Sequence, residues 1–245
     1  MKEICQRKDY LQAAHFFQLY IGQYRGHPTI CKGIKMIIEI KNATKEIKKN
    51  VVLNDISLCL KSGKVYGIQG VNGSGKTMLM RAICGLIRLS SGSICIDDKI
   101  VGKDIEFPDN VGVLIENPGL IENYTGFKNL RTLADVKKIT SDEEIRELLT
   151  KLNLEPEDKR KVKKYSLGMK QKIGIAEAFI DKPDLIILDE PFNALDAKSV
   201  EIVKAMIKEY RNDDRLILIS CHDAGTLKEV CDEIYSMEEG KLIEA

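Results

Sequence analysis

The chain has 245 residues, of which 44% are hydrophobic and 31% are charged, a composition typical of ordinary globular proteins. A formal net charge of +1 argues against broad attraction to nucleic acid, so no nucleic-acid partner is expected. No apolar run approaches the ~18 residues needed to cross a bilayer, and the charged N-terminus does not resemble a secretory signal. Seven scattered cysteines lack C-x₂-C spacing, which predicts reduced thiols in a cytosolic protein.

Residues 1–35 differ in character from the rest of the chain. They contain residues at helical spacing that could form one largely aromatic helix face: Tyr10, Ala13, Phe17, Tyr20 and Tyr24. A Gly-His-Pro sequence at 26–28 would end that helix. The segment is either a docking helix, or a loose tail or translated upstream stretch before a second candidate start at Met36. We favour the second interpretation and treat residues 1–35 as an N-terminal extension.

Strand signals begin at Met36. Residues 36–40 are strand-like, and residues 51–60 alternate as expected for a half-buried strand. A short apolar run at 64–69 predicts a strand that leads directly into a glycine-rich loop. Further short strands are predicted at 93–96 and 111–115.

Residues 70–77 read GVNGSGKT and match the phosphate-binding loop G-x-x-x-x-G-K-[ST] at every position. The glycines allow backbone N–H groups to surround a chain of phosphates, while Lys76 can reach the terminal phosphates and the Thr77 hydroxyl can hold Mg²⁺. Apolar residues at helical spacing over 78–87 place a helix N-terminus toward the anion. A chance glycine-rich turn is the alternative, and the complete match with these flanks argues against it.

The chain from about residue 125 to residue 180 is expected to be mainly helical. Ser141 can cap a helix over 143–152, and Glu144 completes a capping box. The basic stretch at 159–164 is interpreted as a solvated loop rather than a binding patch. Ser166 and Gly168 precede a helix over 169–180, where they could form a second anion site or serve only as a cap.

Two continuous apolar runs, at 185–188 and 216–219, suit strands covered on both faces of a parallel sheet. Helical segments near 198–210 and 224–231 follow them, which favours a doubly wound α/β core. The first run ends in two acids. At a strand tip beside the phosphate loop, Asp189 could face Mg²⁺ and Glu190 could polarise an attacking water.

These segments together resemble the ATP-binding subunit of ABC transporters over nearly all of residues 36–245. The motifs stand in the family order: Walker A at 70–77, the signature YSLGMKQ at 165–171 where LSGGQ is usual, Walker B at 185–190, the D-loop NALD at 193–196, and the switch histidine His222. The resemblance implies an α/β P-loop NTPase with a RecA-like parallel-sheet core, an antiparallel β subdomain and an α-helical subdomain inserted at about 117–172.

The resemblance also implies that ATP and Mg²⁺ bind, with two subunits enclosing two ATP molecules head to tail. Glu190 would be the general base, Asp196 would lie at the subunit interface, and His222 would contact the γ-phosphate unless it is a buried packing residue. The metal would be held by Thr77, Asp189 and Glu116. Nucleotide contacts would come from Gly70, Val71, Asn72, Gly73, Ser74, Gly75, Lys76, Thr77 and Met78 of one subunit, and Ser166 and Gly168 of the other.

Several positions depart from the usual family pattern. The position that commonly carries a metal-contacting glutamine is Glu116, which adds negative charge near Mg²⁺; alternatively, Glu116 is only a surface acid. Its surroundings, VGVLIENPGLIENYTGFKNL, are similar to the bacitracin and lantibiotic self-protection exporters. The adenine-stacking aromatic falls on Ile47, which predicts weak base discrimination, and Tyr66 is better explained as a packed strand residue than as its substitute. Met78 replaces a second hydroxyl residue.

The sequence therefore predicts an ATP-hydrolysing subunit of a membrane exporter of antimicrobial peptides or drug-like compounds, peripheral to the cytoplasmic face of the cell membrane. Its expected partners are a membrane-spanning permease subunit and a second ATP-binding subunit, forming a homodimer. One alternative is a soluble ABC-type ATPase acting on ribosomes or DNA, disfavoured by the single nucleotide domain and balanced charge. The other is a non-hydrolysing regulator, disfavoured by intact Lys76, Asp189, Glu190 and His222. Fold analogy does not identify the solute.

Overall fold

The strands of the protein fall into two sheets, as described by a computed structural model that covers residues 36–243. The aromatic helix face predicted for residues 1–35 lies outside the described residues. In chain order the strands are β1 (Ile37–Ile47), β2 (Asn50–Lys61), β3 (Val65–Gln69), β4 (Ser91–Ile96), β5 (Lys99–Ile100), β6 (Val111–Leu114), β7 (Leu185–Asp189), β8 (Leu216–Cys221), β9 (Glu233–Glu238) and β10 (Lys241–Ile243).

The first sheet is antiparallel, with the strand order β2-β1-β4-β5. Alternate residues of β1 and β2, including Ile38, Ile40, Leu53 and Leu60, are buried beneath it, as expected for strands with one covered face. Strand β1 continues past the predicted end at residue 40. Its alternation is interrupted because the pairing register shifts between Ile40 and Ala43, so the second half carries no simple two-residue pattern.

The second sheet has the order β10-β9-β3-β8-β7-β6, and all of its pairs except β10–β9 are parallel. Every residue of β7 and β8 is buried, because helices cover one face of these central strands, and the antiparallel sheet with the helix that follows β3 covers the other. The continuous apolar runs thus correctly predicted a doubly wound core. The carboxyl ends of β3, β7 and β8 meet at one edge, which is where ligands bind in open α/β sheets.

The helices are α1 (Lys76–Ile83), α2 (Gly126–Lys137), α3 (Asp142–Lys151), α4 (Leu167–Phe179), α5 (Ala197–Tyr210) and α6 (Ala224–Val230). Helix α1 begins two residues before its predicted start and ends four residues early. It ends there because Gly85 has φ +74° and the Leu86 N–H donates to the Arg81 carbonyl, the pattern of a Schellman cap.

Helices α2, α3 and α4 pack around a shared apolar core that includes Leu130, Ile145, Leu149 and Ile173. The Ser141 capping box is present at the start of α3, as predicted. A 3₁₀ turn at Val162–Lys164 buries Val162 and leaves its two lysines exposed, which agrees with a solvated loop. The α-helical subdomain was predicted to end at about residue 172, which lies in the middle of α4. That boundary stays a prediction. Within residues 36–243, no helix has the length and apolarity to span a membrane.

Candidate active site at the sheet edge

The phosphate loop joins the end of β3 to the start of α1, so the first N–H groups of α1 face the loop. Gly75 has φ +108°, and a Cβ there would lie 2.7 Å from the Val52 carbonyl oxygen. A Cβ on Gly70 would lie 2.4 Å from the Met237 carbonyl oxygen. Glycine is therefore required at both positions, where the backbone of this cradle packs closely against neighbouring carbonyl groups.

Lys76 folds back over this cradle. Its ammonium group donates to the Gly70 carbonyl at 2.6 Å and to the Val71 carbonyl at 3.1 Å, and lies 3.4 Å from Glu190 Oε1. The Lys76 side chain is only 5% exposed. The buried Ser74 hydroxyl has no hydrogen-bond partner among the described residues. A buried ammonium, an unpartnered hydroxyl and free helix N–H groups fit a phosphate chain.

Asp189 lies at the end of β7 and is nearly fully buried. The Thr77 hydroxyl donates to Asp189 Oδ2 at 2.6 Å, and the Ser220 hydroxyl donates to Asp189 Oδ1 at 2.5 Å. Ser220 also accepts from the Glu190 N–H at 2.9 Å, so it fixes both acids of the motif. The carboxylate and hydroxyl oxygens of Asp189 and Thr77 are hard ligands of the kind Mg²⁺ prefers, so this donor set fits the metal.

Sequence reasoning missed Ser220. The available signal was a polar residue directly after the apolar run at 216–219, inside a strand expected to be buried, where an unpaired hydroxyl would be costly.

Glu190 stands between two basic side chains. Its Oε2 lies 3.0 Å from His222 Nδ1, and its Oε1 faces Lys76. Glu190 has φ +48°, which turns it out of the strand direction, and its side chain is 16% exposed. His222 is not a packing residue, because its side chain is 59% exposed. The structure thus brings together Lys76, Glu190 and His222, as sequence analysis anticipated.

Gln171 of α4 links the signature segment to the backbone at Glu190. The Gln171 amide donates to the backbone carbonyls of Glu190, at 3.3 Å, and Pro191, at 3.2 Å. Gln171 is buried, and the signature motif alone predicted no role for it. Because its partners lie 19 and 20 residues away, only the folded structure shows this link.

Ser166 and Gly168 lie at the start of α4. The Ser166 hydroxyl accepts from the Met169 N–H at 3.2 Å and caps the helix, and Ser166 itself is exposed. A Cβ on Gly168 would lie 2.6 Å from the Ala194 carbonyl oxygen, so glycine permits close approach to the D-loop. Asp196 caps α5 by accepting from the Ser199 N–H, and this hydrogen bond lowers the pKa of Asp196.

Glu116 follows β6 in a left-handed conformation, with φ +59°. Its carboxylate lies 2.8 Å from a guanidinium nitrogen of Arg81 on α1. Glu116 lines a cavity of about 330 Å³ together with both acids of the β7 motif. The lining residues are Glu116, Asn117, Leu167, Gln171, Asp189, Glu190, Asn193 and Ala194. Glu116 therefore faces the candidate site, paired with an arginine that sequence analysis did not single out.

The expected adenine-stacking position, Ile47, is 40% exposed at the end of β1. Tyr66 is buried on β3, where its hydroxyl accepts from the Lys61 N–H at 2.9 Å and its ring stacks on Tyr235. Tyr66 is therefore a packed strand residue, as predicted, and cannot replace the missing aromatic.

A family model for the ABC transporter matches residues 53–193, more than half of the chain. The chain belongs to the ABC transporter family. It is 44% identical over 206 residues to the uncharacterised ABC transporter ATP-binding protein YybJ of Bacillus subtilis, covering 84% of this chain and 94% of that protein.

Two relatives carry names that mention lantibiotic or bacitracin transport. The lantibiotic transport ATP-binding protein SrtF of Streptococcus pyogenes is 35% identical over 209 residues, covering 84% of this chain and 89% of SrtF. The bacitracin transport ATP-binding protein BcrA of Enterococcus faecalis is 34% identical over 213 residues, covering 86% of this chain and 69% of BcrA. These matches confirm the predicted resemblance to the lantibiotic and bacitracin branch of the ABC family.

A solved dimeric bacterial ABC transporter cassette has a TM-score of 0.74 and 25% identity, covering 84% of this chain and 97% of that one. This likeness confirms the predicted P-loop NTPase fold. With the family match, it identifies the chain as an ABC-type ATPase subunit of the kind that powers transporters.

Proposed function

We propose that this ABC protein hydrolyses ATP at the edge of the parallel sheet to drive export through a membrane-spanning permease at the cytoplasmic face of the cell membrane. The observation that carries the proposal is the cluster formed by Lys76, Glu190 and His222, with Asp189 and Thr77 beside it. These five side chains come from three separate segments, and the fold brings them to one place.

ATP would bind with its phosphates over the loop at 70–77. Lys76 would exchange its carbonyl partners for phosphate oxygens, which are stronger acceptors because they are charged. Thr77 and Asp189 would hold Mg²⁺, with Glu116 as the additional acid, and the bound ion would neutralise phosphate charge. The remaining loop contacts would come from backbone N–H groups at the start of α1.

Glu190 would orient and accept the proton of the attacking water. One of its carboxylate oxygens lies 3.0 Å from His222 Nδ1, and the other lies 3.4 Å from the Lys76 ammonium without a hydrogen-bond partner among the described residues, so it can accept a proton. His222 would contact the terminal phosphate. It is exposed, so it can move from Glu190 toward a bound nucleotide.

The site would be completed by a second subunit. Ser166 and Gly168 lie at the start of a helix, where N–H groups can contact phosphate. We propose that they cover ATP held by the partner, in a homodimer, with Asp196 at the interface. The existence of a dimeric relative supports this arrangement.

The names of SrtF and BcrA support antimicrobial peptides or similar compounds as the exported class. To test this, the chain is co-expressed with a permease encoded beside its gene and reconstituted into lipid vesicles. Phosphate release is then measured with a lantibiotic or with bacitracin. Stimulation by either peptide supports the proposal. Hydrolysis that is identical with and without the permease would favour a soluble ATPase instead.

The mechanism is tested with Glu190→Gln, which keeps the shape of the side chain but removes the base. We expect hydrolysis to fall by about 100-fold or more while ATP still binds, since general bases contribute this much. The variant should elute from a sizing column as an ATP-bound dimer. A monomer that hydrolyses ATP at the normal rate would remove Glu190 from this role.

A further inference from the structure

Cys221 and His222 stand directly opposite the proposed base. Strands β7 and β8 are parallel neighbours, and Asp189 pairs with Ser220, which places the next residues, Glu190 and Cys221, side by side. The Cys221 sulfur, a ring nitrogen of His222 and a carboxylate oxygen of Glu190 all lie within 4.8 Å of one another. Cys221 packs in the apolar core, but the proposed hydrolysis gives its sulfur no role.

We propose that Cys221, His222 and Glu190 form a binding site for a thiophilic divalent cation such as Zn²⁺, and that the bound ion blocks the base. Metal binding stands independently of the proposed function, whereas the blocking of hydrolysis rests on it. One sulfur, one nitrogen and one oxygen ligand with a further position open is a set that Zn²⁺ accepts. Mg²⁺, which prefers oxygen ligands, would not compete well here.

The distances suit this ion after a small adjustment. With Zn–ligand bonds of about 2.0–2.3 Å in tetrahedral geometry, neighbouring ligand atoms are separated by roughly 3.3–3.7 Å. His222 Nδ1 and Glu190 Oε2 are 3.0 Å apart, slightly closer than this tetrahedral separation. All three ligand atoms lie within 4.8 Å of one another, an upper limit about 1 Å longer than the tetrahedral separation. His222 can close the difference because its side chain is 59% exposed, while Cys221 is fixed by burial.

Burial raises the pKa of the Cys221 thiol, so the positive charge of the bound ion would have to stabilise the thiolate, with help from one backbone hydrogen bond. The Asp223 N–H donates to the Cys221 sulfur at 3.4 Å and would stabilise its negative charge. On binding, the Cys221 thiol proton would leave to solvent, and the neutral His222 ring would carry its proton on Nε2 so that Nδ1 can coordinate. Lys76 opposes the ion by repulsion, because its ammonium lies 3.4 Å from the other oxygen of Glu190. We therefore expect reversible binding.

Occupation would have a clear chemical consequence. A carboxylate that donates a lone pair to the metal is a weaker base toward water, and His222 would be held away from the nucleotide. Hydrolysis should then be inhibited by the ion and restored by a chelator.

Direct binding is tested with Co²⁺, which reports thiolate ligation by a near-ultraviolet charge-transfer band. The reduced, nucleotide-free full-length chain is titrated as wild type, Cys221→Ser, His222→Ala and Cys59→Ser. Cys59→Ser is the matched control, because Cys59 is exposed on β2 and outside the cluster. Thermal unfolding is measured for each variant to check that it is folded. Added Zn²⁺ should displace the bound Co²⁺.

We expect Cys221→Ser and His222→Ala to lose one thiolate-bound Co²⁺ per chain relative to wild type, and Cys59→Ser to lose none. Comparison with wild type cancels any Co²⁺ bound by the other cysteines. An undiminished band in folded Cys221→Ser would overturn the site.

Inhibition is a separate measurement, with each protein compared with its own metal-free rate in zinc-buffered solution. We expect Cys221→Ser to need at least about tenfold more free Zn²⁺ for half-inhibition, since the loss of supporting groups alone costs about that much affinity. Equal sensitivity of wild type and Cys221→Ser would overturn the blocking role. A chain without hydrolysis would contradict the proposed function, and the Co²⁺ titration would still decide the metal site.

Discussion

The phosphate loop and the signature turn are both anion-binding geometries at the start of a helix, but they differ in completeness. In the loop, Lys76 is 5% exposed and is held by two loop carbonyls and Glu190. In the turn, Ser166 is exposed, its hydroxyl caps its own helix, and it is followed by Leu167, which is 65% exposed. One region is completed within the chain, and the other presents its groups outward. This difference is what we expect if the turn serves a site on another subunit, as proposed above.

The largest expected effect comes from Lys76→Ala, which removes the cation at the centre of the complete region. We expect hydrolysis to fall by on the order of 100-fold or more and ATP binding to weaken, because preorganised charge is the main catalytic contribution in phosphoryl transfer. Binding is followed with a fluorescent ATP analogue and hydrolysis by phosphate release. Lys41→Ala, at an exposed lysine of β1, is the control. A normal rate of hydrolysis in Lys76→Ala would contradict the assignment of the phosphate loop as the nucleotide site.

The outward-facing region is tested with Ser166→Asp. Aspartate caps a helix as well as serine does, so the fold should be preserved, but it adds negative charge where a partner's phosphates would bind. We expect hydrolysis to fall at least about tenfold while binding of ATP to the monomer is unchanged.

Thr125→Asp, at the N-cap of α2, makes the same chemical change at another helix start and should leave hydrolysis near normal. Equal loss in both variants would mean that the effect is one of stability. Normal hydrolysis in both variants would mean that the signature turn does not contact phosphate.

A smaller effect is expected at the pair formed by Arg81 and Glu116, which links α1 of the complete region to the loop after β6. Arg81→Ala frees the Glu116 carboxylate to repel phosphate. Because both side chains are partly exposed, we expect coupling of only about 0.5–1 kcal/mol, or roughly two- to fivefold in ATP affinity. The coupling is measured by comparing Arg81→Ala in wild type and in Glu116→Gln. An identical loss in both backgrounds would show that Glu116 is a surface acid.

The smallest expected effect is at Ile47. The wild-type protein should hydrolyse ATP and GTP with similar kcat/KM, because an aliphatic side chain packs on a purine without strong preference. Ile47→Tyr should raise ATP affinity by about 0.5 kcal/mol, roughly twofold, through ring stacking. A strong preference of the wild type for ATP would place the base-recognition residue elsewhere.

Sequence analysis predicted the elements whose signals are local. The phosphate loop requires glycines at fixed spacing, and β7 and β8 are continuous apolar runs because both of their faces are covered. The end of α1 was placed too late because apolar residues continue beyond Gly85, although the Schellman cap stops the helix.

Contacts between distant residues could not be read in the same way. The pairs Arg81–Glu116 and Gln171–Glu190, and the double role of Ser220, depend on how strands and helices pack. The position of Cys221 beside Glu190 depends on the register between β7 and β8, which no single segment determines.

The central claim is that one hydrolytic site uses the phosphate loop of one subunit and the signature turn of another. It is tested most directly by mixing Lys76→Ala with Ser166→Asp, each of which is expected to be strongly impaired by itself. In a mixed dimer, both changes fall in one site and the other site is intact. If subunits exchange freely and the two sites work independently, equal mixing should restore about a quarter of the wild-type specific activity. No recovery at any ratio, with subunit exchange verified, would contradict the shared site.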